Sequence, residues 1–575
     1  MSSAAQGLVR LPVWRARVVL IALVAGFAVL GGRALYLQAV RTDFLQEKGD
    51  ARYSRLIEIP ATRGRILDRN GEALAVSTPV KSVWAIPADV DASPAQRRKL
   101  AALLSLPRSE LEKRVSDTSR DFVYLKRQVP PETASAVLAL GMQGIHQHPE
   151  YRRYYPGGEV TAHVIGFTGV DDAGQEGIEL AHQATLGGKP GSRRVIRDRL
   201  GRIVEDVESI RSGQDGADLA LSIDRKVQSL AYGALKSAVE RHRAKAGAII
   251  AIDVRSGEIL ALANVPSYNP NNRARLTGAQ LRNRVITDLF EPGSTLKPFT
   301  IALAIETGKV SRSTLVNTAP GRLTLAKYTI RDLHPAASLS VGQVLARSSN
   351  VGAAKIALAL PREAMWDFLR RVGFGAAPEL GFPGAAAGRL RPYKSWRQVE
   401  QATLGYGMGM SLSLAQLARA YTVFARDGEL VPLTLVKTGA EVSGDKVLSA
   451  EAARAVRAML EAAVQPRATG PRARIMGWRV AGKTGTAHKQ ENGGYASDKY
   501  LSSFVGFAPV SAPRLVVAVM IDEPSAGQHY GGAVAAPVFA QVMQGALRLL
   551  GVPHDAPLNV PLDAPGEADE AKEST

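Results

Sequence analysis

The chain carries at positions 291–297 the stretch Glu291-Pro292-Gly293-Ser294-Thr295-Leu296-Lys297, and this stretch decides the fold. Its first three residues read as a turn, after which a helix should begin at the serine. Lys297 follows Ser294 by three residues and therefore lies on the same helix face. The spacing predicts a serine nucleophile with a lysine beside it as its base. Because a serine and a lysine at this spacing recur by chance in a chain of 575 residues, further segments are needed.

Two later segments complete the pattern in a fixed order. They are Ser348-Ser349-Asn350 and Lys483-Thr484-Gly485. The ordered triple is typical of penicillin-binding proteins and serine β-lactamases, in which the substrate acylates the serine. We therefore expect the three segments to meet at one acyl-transfer site.

Lys297 can accept the serine proton only as a neutral amine. An ordinary lysine has a pKa of about 10.4, so its deprotonation at pH 7 costs about 4–5 kcal/mol. Burial and a second nearby cation lower this cost, and Lys483 is the expected second cation. The alternative for Lys297 is an ordinary solvated lysine on a helix.

Ser348 and Asn350 are expected at a junction between two helices. They follow a helix that Ser340 should cap, with Gln343 at its third position, and they precede the apolar segment 351–360. From such a junction Ser348 would relay a proton to the departing amine, and Asn350 would bind an amide of the substrate. The alternative is that both are only turn and cap residues.

Lys483-Thr484-Gly485-Thr486 is predicted to lie on a strand beside the cleft, where an extended peptide can add as a further strand. Lys483 and the hydroxyls of Thr484 and Thr486 suit a terminal carboxylate, and Gly485 has no side chain to block its approach. The backbone N–H groups of Ser294 and Thr486 are the predicted oxyanion hole, each contributing about 3–4 kcal/mol. The alternative is an edge strand that ends in a glycine turn.

Composition excludes several kinds of site. The chain has no Cys, and therefore no disulfide, thiolate nucleophile or cysteine metal site. Its nine His residues show no zinc-type spacing, so we expect no metal and no cofactor. The net charge of +19 comes from Arg scattered among acidic residues. This pattern favours an anionic membrane or an acidic polymer as partner, and we expect no nucleic acid.

Residues 18–40 are predicted to span a membrane once, as an uncleaved signal anchor. They are uncharged apart from Arg33, which can reach the lipid head groups. A cleaved signal peptide is the alternative, but the segment has no convincing small-residue cleavage site. Residues 1–17 would then form a short cytoplasmic tail, with the bulk of the chain outside.

The rest of the chain is predicted to form two domains. Residues 50–211 show strand and helix patterns without a chemical motif, and we expect an elongated, non-catalytic α+β unit, which we call the pedestal. In 218–550, strands at both ends and helices between them predict an antiparallel sheet sandwiched by helices, an α/β arrangement of the α+β class. Residues 553–575 are rich in Pro, Ala and acids and are predicted to be disordered.

Four further segments carry a family resemblance. They are Arg63-Gly64-Arg65-Ile66-Leu67-Asp68-Arg69-Asn70-Gly71, Tyr154-Tyr155-Pro156-Gly157, Pro266-Ser267-Tyr268-Asn269-Pro270 and Glu291-Pro292-Gly293-Ser294. Together with the triple, they make the chain resemble a class B penicillin-binding protein over nearly all of 18–550. The resemblance is greatest to the branch that acts in cell division.

The resemblance implies a D,D-transpeptidase in the bacterial inner membrane, with its N-terminus in the cytoplasm and its catalytic domain in the periplasm. Ser294 would be acylated by a D-Ala-D-Ala stem peptide of peptidoglycan, and an amine of a neighbouring stem would resolve the acyl-enzyme. β-Lactams would acylate the same serine. The implied partners are a polytopic SEDS-family glycosyltransferase (FtsW) and other division proteins.

Three alternatives stay open. An elongation-specific class B transpeptidase would share every motif. A serine β-lactamase or D,D-carboxypeptidase must deacylate with water, and the E-x-x-L-N segment of class A lactamases is missing between Asn350 and Lys483. A non-enzymatic β-lactam sensor need not keep all the chemical residues, whereas this chain keeps them.

Overall fold

The computed structural model of the chain describes residues 12–40, 54–197, 203–491 and 494–558. It begins with helix α1 (Val13–Leu35), which continues as a π-helical turn, Tyr36–Val40. Among the described helices only this one is long and apolar enough to span a membrane, over the 27 residues Val13–Ala39. At about 1.5 Å per residue it exceeds a hydrocarbon core of about 30 Å.

The helix therefore starts five residues before the predicted span. Val13 and the four residues after it, which the sequence prediction assigned to the cytoplasmic tail, are already helical. Residues 1–11 of that tail lie outside the described residues, as do 50–53 at the start of the predicted pedestal.

The pedestal is built from short strands and helices in mixed order. In chain order they are β1 (Ser54–Ile59), β2 (Ile66–Leu67), β3 (Ala73–Ala85), α2 (Pro94–Leu103), α3 (Arg108–Val115), β4 (Val123–Val129), α4 (Pro131–Leu138), β5 (Ile145–Tyr154), α5 (Ala162–Ile165), β6 (Phe167–Thr168), β7 (Gly174–Glu176), α6 (Gly177–Ala181), α7 (Gln183–Leu186), β8 (Gly191–Arg197), β9 (Ile203–Arg211) and β10 (Leu219–Ala220).

Two sheets organise these elements. One has the order β1-β8-β9, and the other has the order β10-β2-β3-β4, with β5 also paired to β3. Strand β10 lies beyond the predicted pedestal boundary at residue 211, yet it pairs in parallel with β2. The chain thus returns to the pedestal sheet before it enters the second domain. Helix α2 begins after Ser93, which forms a reciprocal capping box with Gln96.

The second domain contains the remaining elements. Its helices are α8 (Arg225–Arg241), α9 (Gly278–Leu281), α10 (Arg284–Thr287), α11 (Lys297–Glu306), α12 (Val341–Ala346), α13 (Asn350–Leu358), α14 (Arg362–Arg371), α15 (Gln398–Leu404), α16 (Leu414–Ala425), α17 (Ala450–Ala462), α18 (Gly531–Val534) and α19 (Ala536–Leu549). Its strands are β11 (Ala246–Asp253), β12 (Ile259–Val265), β13 (Leu315–Asn317), β14 (Arg322–Leu325), β15 (Tyr328–Arg331), β16 (Ser338–Ser340), β17 (Glu429–Leu430), β18 (Asp445–Lys446), β19 (Ala481–Glu491), β20 (Gly494–Ala508) and β21 (Leu515–Asp522).

The central sheet has the order β12-β11-β21-β20-β19, and every pair in it is antiparallel. Strand β11 shows why the sheet is buried on both faces. Ile250 and Ile252 pack on the side of α16, whereas Ile249 and Ala251 pack against α8 and α19. Successive residues of a strand point to opposite faces, so both layers of helices find an apolar surface. The predicted antiparallel sheet between helices is confirmed.

The pedestal and the second domain meet at the turn between β2 and β3. The buried carboxylate of Asp68 accepts hydrogen bonds from the backbone N–H groups of Asn70, Glu72 and Arg225. The Asn70 amide also donates to Asp224, which caps α8. This turn therefore fixes the first helix of the second domain.

The C-terminal residues Pro553–Leu558, which the sequence predicts to be disordered, are held against the second domain. The Asp555 carboxylate accepts hydrogen bonds from the backbone N–H groups of Arg479 and Ser511, at 2.7 and 3.1 Å. The Trp478 indole donates to the Pro553 carbonyl at 2.9 Å. The rest of the predicted disordered tail, 559–575, lies outside the described residues.

A buried carboxylate holds two buried arginines inside the pedestal. Glu179 receives Arg63 at 2.6 Å on one oxygen and Arg153 at 2.7 Å on the other, and all three side chains are at most 1% exposed. Arg63 and Arg153 also donate to backbone carbonyls. Removing one member of such a group leaves buried charge without compensation.

We predict that Glu179→Ala destabilises the pedestal by about 3–5 kcal/mol. The measurement is denaturant unfolding of the full chain in detergent. Asp117→Ala is the matched control, because it removes a carboxylate from the exposed Asp117–Arg120 pair and should change stability little. Equal unfolding midpoints for the two variants would contradict the prediction.

Candidate active site

The nucleophile turn, Gly293–Leu296, holds Ser294 just before the start of α11. Gly293 has φ +54°, a conformation that favours glycine, and Gly293–Leu296 form a 3₁₀ turn that runs into the helix. Two hydrogen bonds fix this turn. The Gly293 N–H donates to the Gly407 carbonyl at 3.1 Å, and the Tyr421 hydroxyl donates to the Thr295 carbonyl at 2.8 Å. The α-helix itself begins at Lys297, three residues after the predicted start at Ser294, because the chain first forms this 3₁₀ turn.

Ser294, Lys297 and Ser348 form a closed triangle of hydrogen-bonding groups. The Lys297 Nζ lies 3.0 Å from the Oγ of Ser294 and 3.0 Å from the Oγ of Ser348. The two hydroxyl oxygens are 2.8 Å apart, and Lys297 Nζ also donates to the Ser348 carbonyl at 2.5 Å. Lys297 and Ser348 are fully buried, and Ser294 is 4% exposed. The structure thus brings two of the three predicted segments into direct contact.

Ser348 adopts a backbone conformation that is unusual for a residue with a side chain. Its φ is +60°, in the left-handed region, which costs roughly 1–2 kcal/mol for a non-glycine residue. The segment after it is held by Asp332. Its carboxylate accepts hydrogen bonds from the Ser349 hydroxyl at 2.6 Å and from the Val351 N–H at 2.9 Å. Asp332 was not predicted as a site residue, because no motif marks it.

Asn350 lies at the start of α13 and is 5% exposed. Its Nδ2 lies 3.5 Å from the Arg331 carbonyl. Its Oδ1 is buried and has no hydrogen-bond partner among the described residues. A buried acceptor without a donor costs about 1–3 kcal/mol, so this oxygen is suited to a donor supplied by a ligand.

Lys483 lies on a strand, as predicted, and this strand, β19, forms one edge of the central sheet. Its Nζ lies 2.9 Å from the Thr484 Oγ1 and 3.2 Å from the Thr469 Oγ1. The Thr484 hydroxyl donates to Thr469 at 2.9 Å. Lys483, Thr484 and Thr469 therefore form one hydrogen-bonded cluster. No sequence motif predicted that Thr469 belongs to it. That Lys483 acts as the second cation near Lys297 stays a prediction.

Gly485 allows β19 to approach the nucleophile turn. A Cβ at this position would lie 2.9 Å from the Thr295 Cγ2 and 3.1 Å from the Pro292 carbonyl oxygen, and it would overlap the Ser503 Oγ. The structure thus adds a reason for glycine that differs from the predicted one, which was free approach of the substrate. Thr486 is held from the other side, since its hydroxyl accepts the Gly531 N–H at 3.0 Å.

The glycine-rich segment 405–409 packs directly beneath the nucleophile turn. Gly407 has φ +89°, and a Cβ on it would lie 2.6 Å from the Gly293 nitrogen. The two segments therefore pack backbone against backbone, which only glycine allows at position 407.

Glu291 links this glycine-rich segment to the β19–β20 hairpin. Its carboxylate accepts hydrogen bonds from the Gly409 N–H at 2.7 Å and from the Tyr495 hydroxyl at 2.9 Å. Burial raises the pKa of Glu291 above its ordinary value, although both hydrogen bonds oppose this shift. Burial, together with the Glu291 carboxylate, raises the pKa of Tyr495 to about 12.

The donor set offers no place for a metal in the part of the chain that the structure describes. No group of three or more His, Asp or Glu residues there could hold a metal ion. The groups at the triangle are an amine and two hydroxyls, which suit proton transfer and acyl transfer to a serine.

Two protein-family models match the chain. The penicillin-binding protein transpeptidase domain matches residues 247–544, and the penicillin-binding protein dimerisation domain matches residues 58–221. The second match extends to β10, in agreement with the pairing of this strand in the pedestal sheet.

Curated relatives cover almost the whole chain. A probable peptidoglycan D,D-transpeptidase PenA from Neisseria gonorrhoeae is 44% identical over 94% of this chain and 93% of its own length. The peptidoglycan D,D-transpeptidase FtsI from Escherichia coli K12 is 42% identical, again over 94% of this chain and 93% of its own length.

Solved structures agree with these relatives. The transpeptidase domain of penicillin-binding protein 3 from Burkholderia pseudomallei is 50% identical, with a TM-score of 0.55, over 59% of this chain and 98% of that one. Penicillin-binding protein 3 from Mycobacterium tuberculosis, complexed with aztreonam, is 27% identical, with a TM-score of 0.68, over 87% of this chain and 99% of that one. The chain belongs to the class B penicillin-binding proteins and is of the penicillin-binding protein 3 type.

Proposed function

We propose that the chain cross-links peptidoglycan stem peptides at the division septum through an acyl-enzyme on Ser294. The closed triangle of Ser294, Lys297 and Ser348 carries this proposal, because one amine and two hydroxyls lie within 3.0 Å of one another, as acyl transfer through a nucleophile, a base and a proton relay requires. The relatives named as peptidoglycan D,D-transpeptidases support the same substrate.

In the first half-reaction the neutral Lys297 amine accepts the proton of the Ser294 hydroxyl. The oxygen attacks the carbonyl carbon between the two D-alanines of the donor stem, and the backbone N–H groups of Ser294 and Thr486 stabilise the oxyanion. The proton passes through Ser348 to the departing amine. The C–N bond then breaks, D-alanine leaves, and the donor stays as an ester on Ser294.

In the second half-reaction an amine of a neighbouring stem takes the place of the departed amine. It attacks the ester carbonyl, its proton returns through Ser348 and Lys297, and Ser294 regains its hydrogen. The new amide is the cross-link. A β-lactam acylates the same serine, but its leaving amine stays attached, so it blocks the acceptor.

Burial of Lys297 supports its role as the base. A fully buried amine is disfavoured in its charged form, since it has lost its hydration. The charge of Lys483 would add to this effect and would bind the terminal carboxylate of the donor, together with Thr484 and Thr486. Gly485 would let the donor peptide lie along β19, and Asn350 would accept a donor amide N–H at its free Oδ1.

The remaining parts of the chain suit an anchored enzyme of the cell envelope. The apolar helix Val13–Ala39 would cross the bacterial inner membrane once, with the N-terminus in the cytoplasm and the catalytic domain in the periplasm. The pedestal, 50–211, and the transpeptidase domain, 218–550, would be the two units outside the membrane. The proposed partners are the glycosyltransferase FtsW and other division proteins.

Ser294→Ala is predicted to abolish covalent labelling by a fluorescent penicillin and to lower the transpeptidation rate by about 10⁴-fold or more. Without the hydroxyl no acyl-enzyme can form. Labelling is read on a denaturing gel, and peptide mapping of the wild type should place the adduct on residue 294. Ser313→Ala, at an exposed serine, is the control and should label normally. Undiminished labelling of Ser294→Ala would exclude this residue as the nucleophile.

Gly485→Ala is predicted to slow penicillin acylation by roughly 10–100-fold, because the added methyl group displaces β19 or the nucleophile turn. The rate is measured by stopped-flow or gel labelling. Gly494→Ala in β20 is the matched control, since a Cβ there meets no atom within 4 Å. Wild-type kinetics in Gly485→Ala would show that the close approach is not needed.

The division role predicts that depletion of the protein in its own bacterium produces long filaments. An elongation-specific transpeptidase would produce round cells instead. Microscopy of depleted cells decides between the two readings, and re-expression of the wild type, but not of Ser294→Ala, should restore septation.

A further inference from the structure

The hairpin β14–β15 presents two like charges directly opposite each other. Arg322 of β14 is the cross-strand partner of Arg331 of β15, and both residues are exposed. Like charges in this position destabilise a strand pair. Within the described residues neither guanidinium makes an ion pair or a hydrogen bond. The fold itself therefore gives no compensation for this repulsion.

The same face of the hairpin carries two hydroxyls. Thr324 and Thr329 are also cross-strand partners, and their Oγ1 atoms are 3.1 Å apart. Each threonine lies two positions from the arginine of its own strand, Thr324 after Arg322 and Thr329 before Arg331, so all four residues share one face. The opposite face is apolar, and Leu323, Leu325 and Ile330 pack there against α13. The hairpin thus turns two positive charges and two hydroxyls outward.

This hairpin is coupled to the segment that carries Ser348. The Arg331 carbonyl contacts the Asn350 amide at 3.5 Å. The next residue, Asp332, holds Ser349 and the Val351 N–H. An anion bound by the arginines would therefore lie on an element that directly supports the proton relay.

We propose that Arg322 and Arg331, with Thr324 and Thr329, form a subsite for a carboxylate of the acceptor stem peptide. Two guanidiniums can hold one carboxylate through charge-assisted, bidentate hydrogen bonds, and its charge offsets their repulsion. The proposal rests on the proposed function. In the proposed reaction the acceptor amine replaces the departing amine, and it therefore exchanges its proton with Ser348. The hairpin β14–β15 contacts the segment that carries Ser348. The arginines are therefore assigned to the acceptor peptide and not to the donor peptide.

The test compares two acceptors on the full chain in detergent, with a D-Ala-D-Ala pentapeptide as donor. One acceptor is a stem peptide with a free amine and free side-branch carboxylates, and the other is the same peptide with these carboxylates amidated. The wild type should prefer the anionic acceptor by roughly tenfold in kcat/KM, and salt should weaken the preference. The double variant R322Q/R331Q should lose it.

Penicillin labelling and D-alanine release without acceptor separate this subsite from the reaction itself. Both should be unchanged in R322Q/R331Q. The variant R322K/R331K should keep part of the preference for the anionic acceptor, because lysine keeps the charge but not the bidentate geometry. Arg98→Gln, at an exposed pedestal arginine, is the matched control and should keep the full preference.

Three results would overturn the subsite. The first is a wild type without the preference for the anionic acceptor, and the second is a double variant that retains this preference. The third is slower D-alanine release in the double variant without acceptor, which would assign the arginines to the donor. If the wild type itself neither labels nor releases D-alanine, the proposed function fails instead.

Discussion

The hydrogen-bonded triangle of Ser294, Lys297 and Ser348 depends on close backbone packing around the nucleophile turn. Strand β19 and the glycine-rich segment 405–409 both approach this turn more closely than a Cβ atom would allow. Glycine makes this possible at two contacts. Gly485 lets β19 lie against the nucleophile turn, and Gly407 lets the glycine-rich segment support it from below. A methyl group at either place would push the turn away from its partners. The distances of 2.8–3.0 Å within the triangle thus depend on the backbone packing at Gly485 and Gly407, and not only on the side chains of the triangle itself.

The same site contains several groups that cost stability. Lys297 and Lys483 are buried lysines, Asn350 has an unsatisfied oxygen, and Ser348 has a left-handed backbone. Strained and unsatisfied groups persist only where the surrounding structure holds them in place. Here Asp332 fixes the segment after Ser348, and the antiparallel sheet, packed on both faces, fixes β19. The stable core therefore maintains a site that is ready for the substrate before the substrate arrives.

Much of this arrangement could be predicted from the sequence. The strand patterns at both ends of the second domain predicted the antiparallel sheet, and Ser340 correctly marked a helix start. The contact between Ser294 and Lys297, the proposed nucleophile and base, follows from their spacing of three residues. The contact of both with Ser348 was expected only from the order of the motifs. Asp332 and Thr469 could not be found in this way, because each is a single polar residue that reaches the site only through tertiary packing. The binding of Asp555 to Arg479 and Ser511 was missed for a related reason, since composition alone reads such a tail as disordered.

The edge position of β19 connects the fold to the chemistry. An edge strand has unpaired backbone groups, which natural proteins usually cover because they invite pairing with other chains. In this chain β20 pairs with one side of β19, while the nucleophile turn lies close to Gly485. If the proposed donor peptide adds to β19 as a further strand, it arrives beside the Ser294 hydroxyl. Binding would then also align the peptide for attack, because the strand that holds the donor and the turn that holds the serine pack against each other.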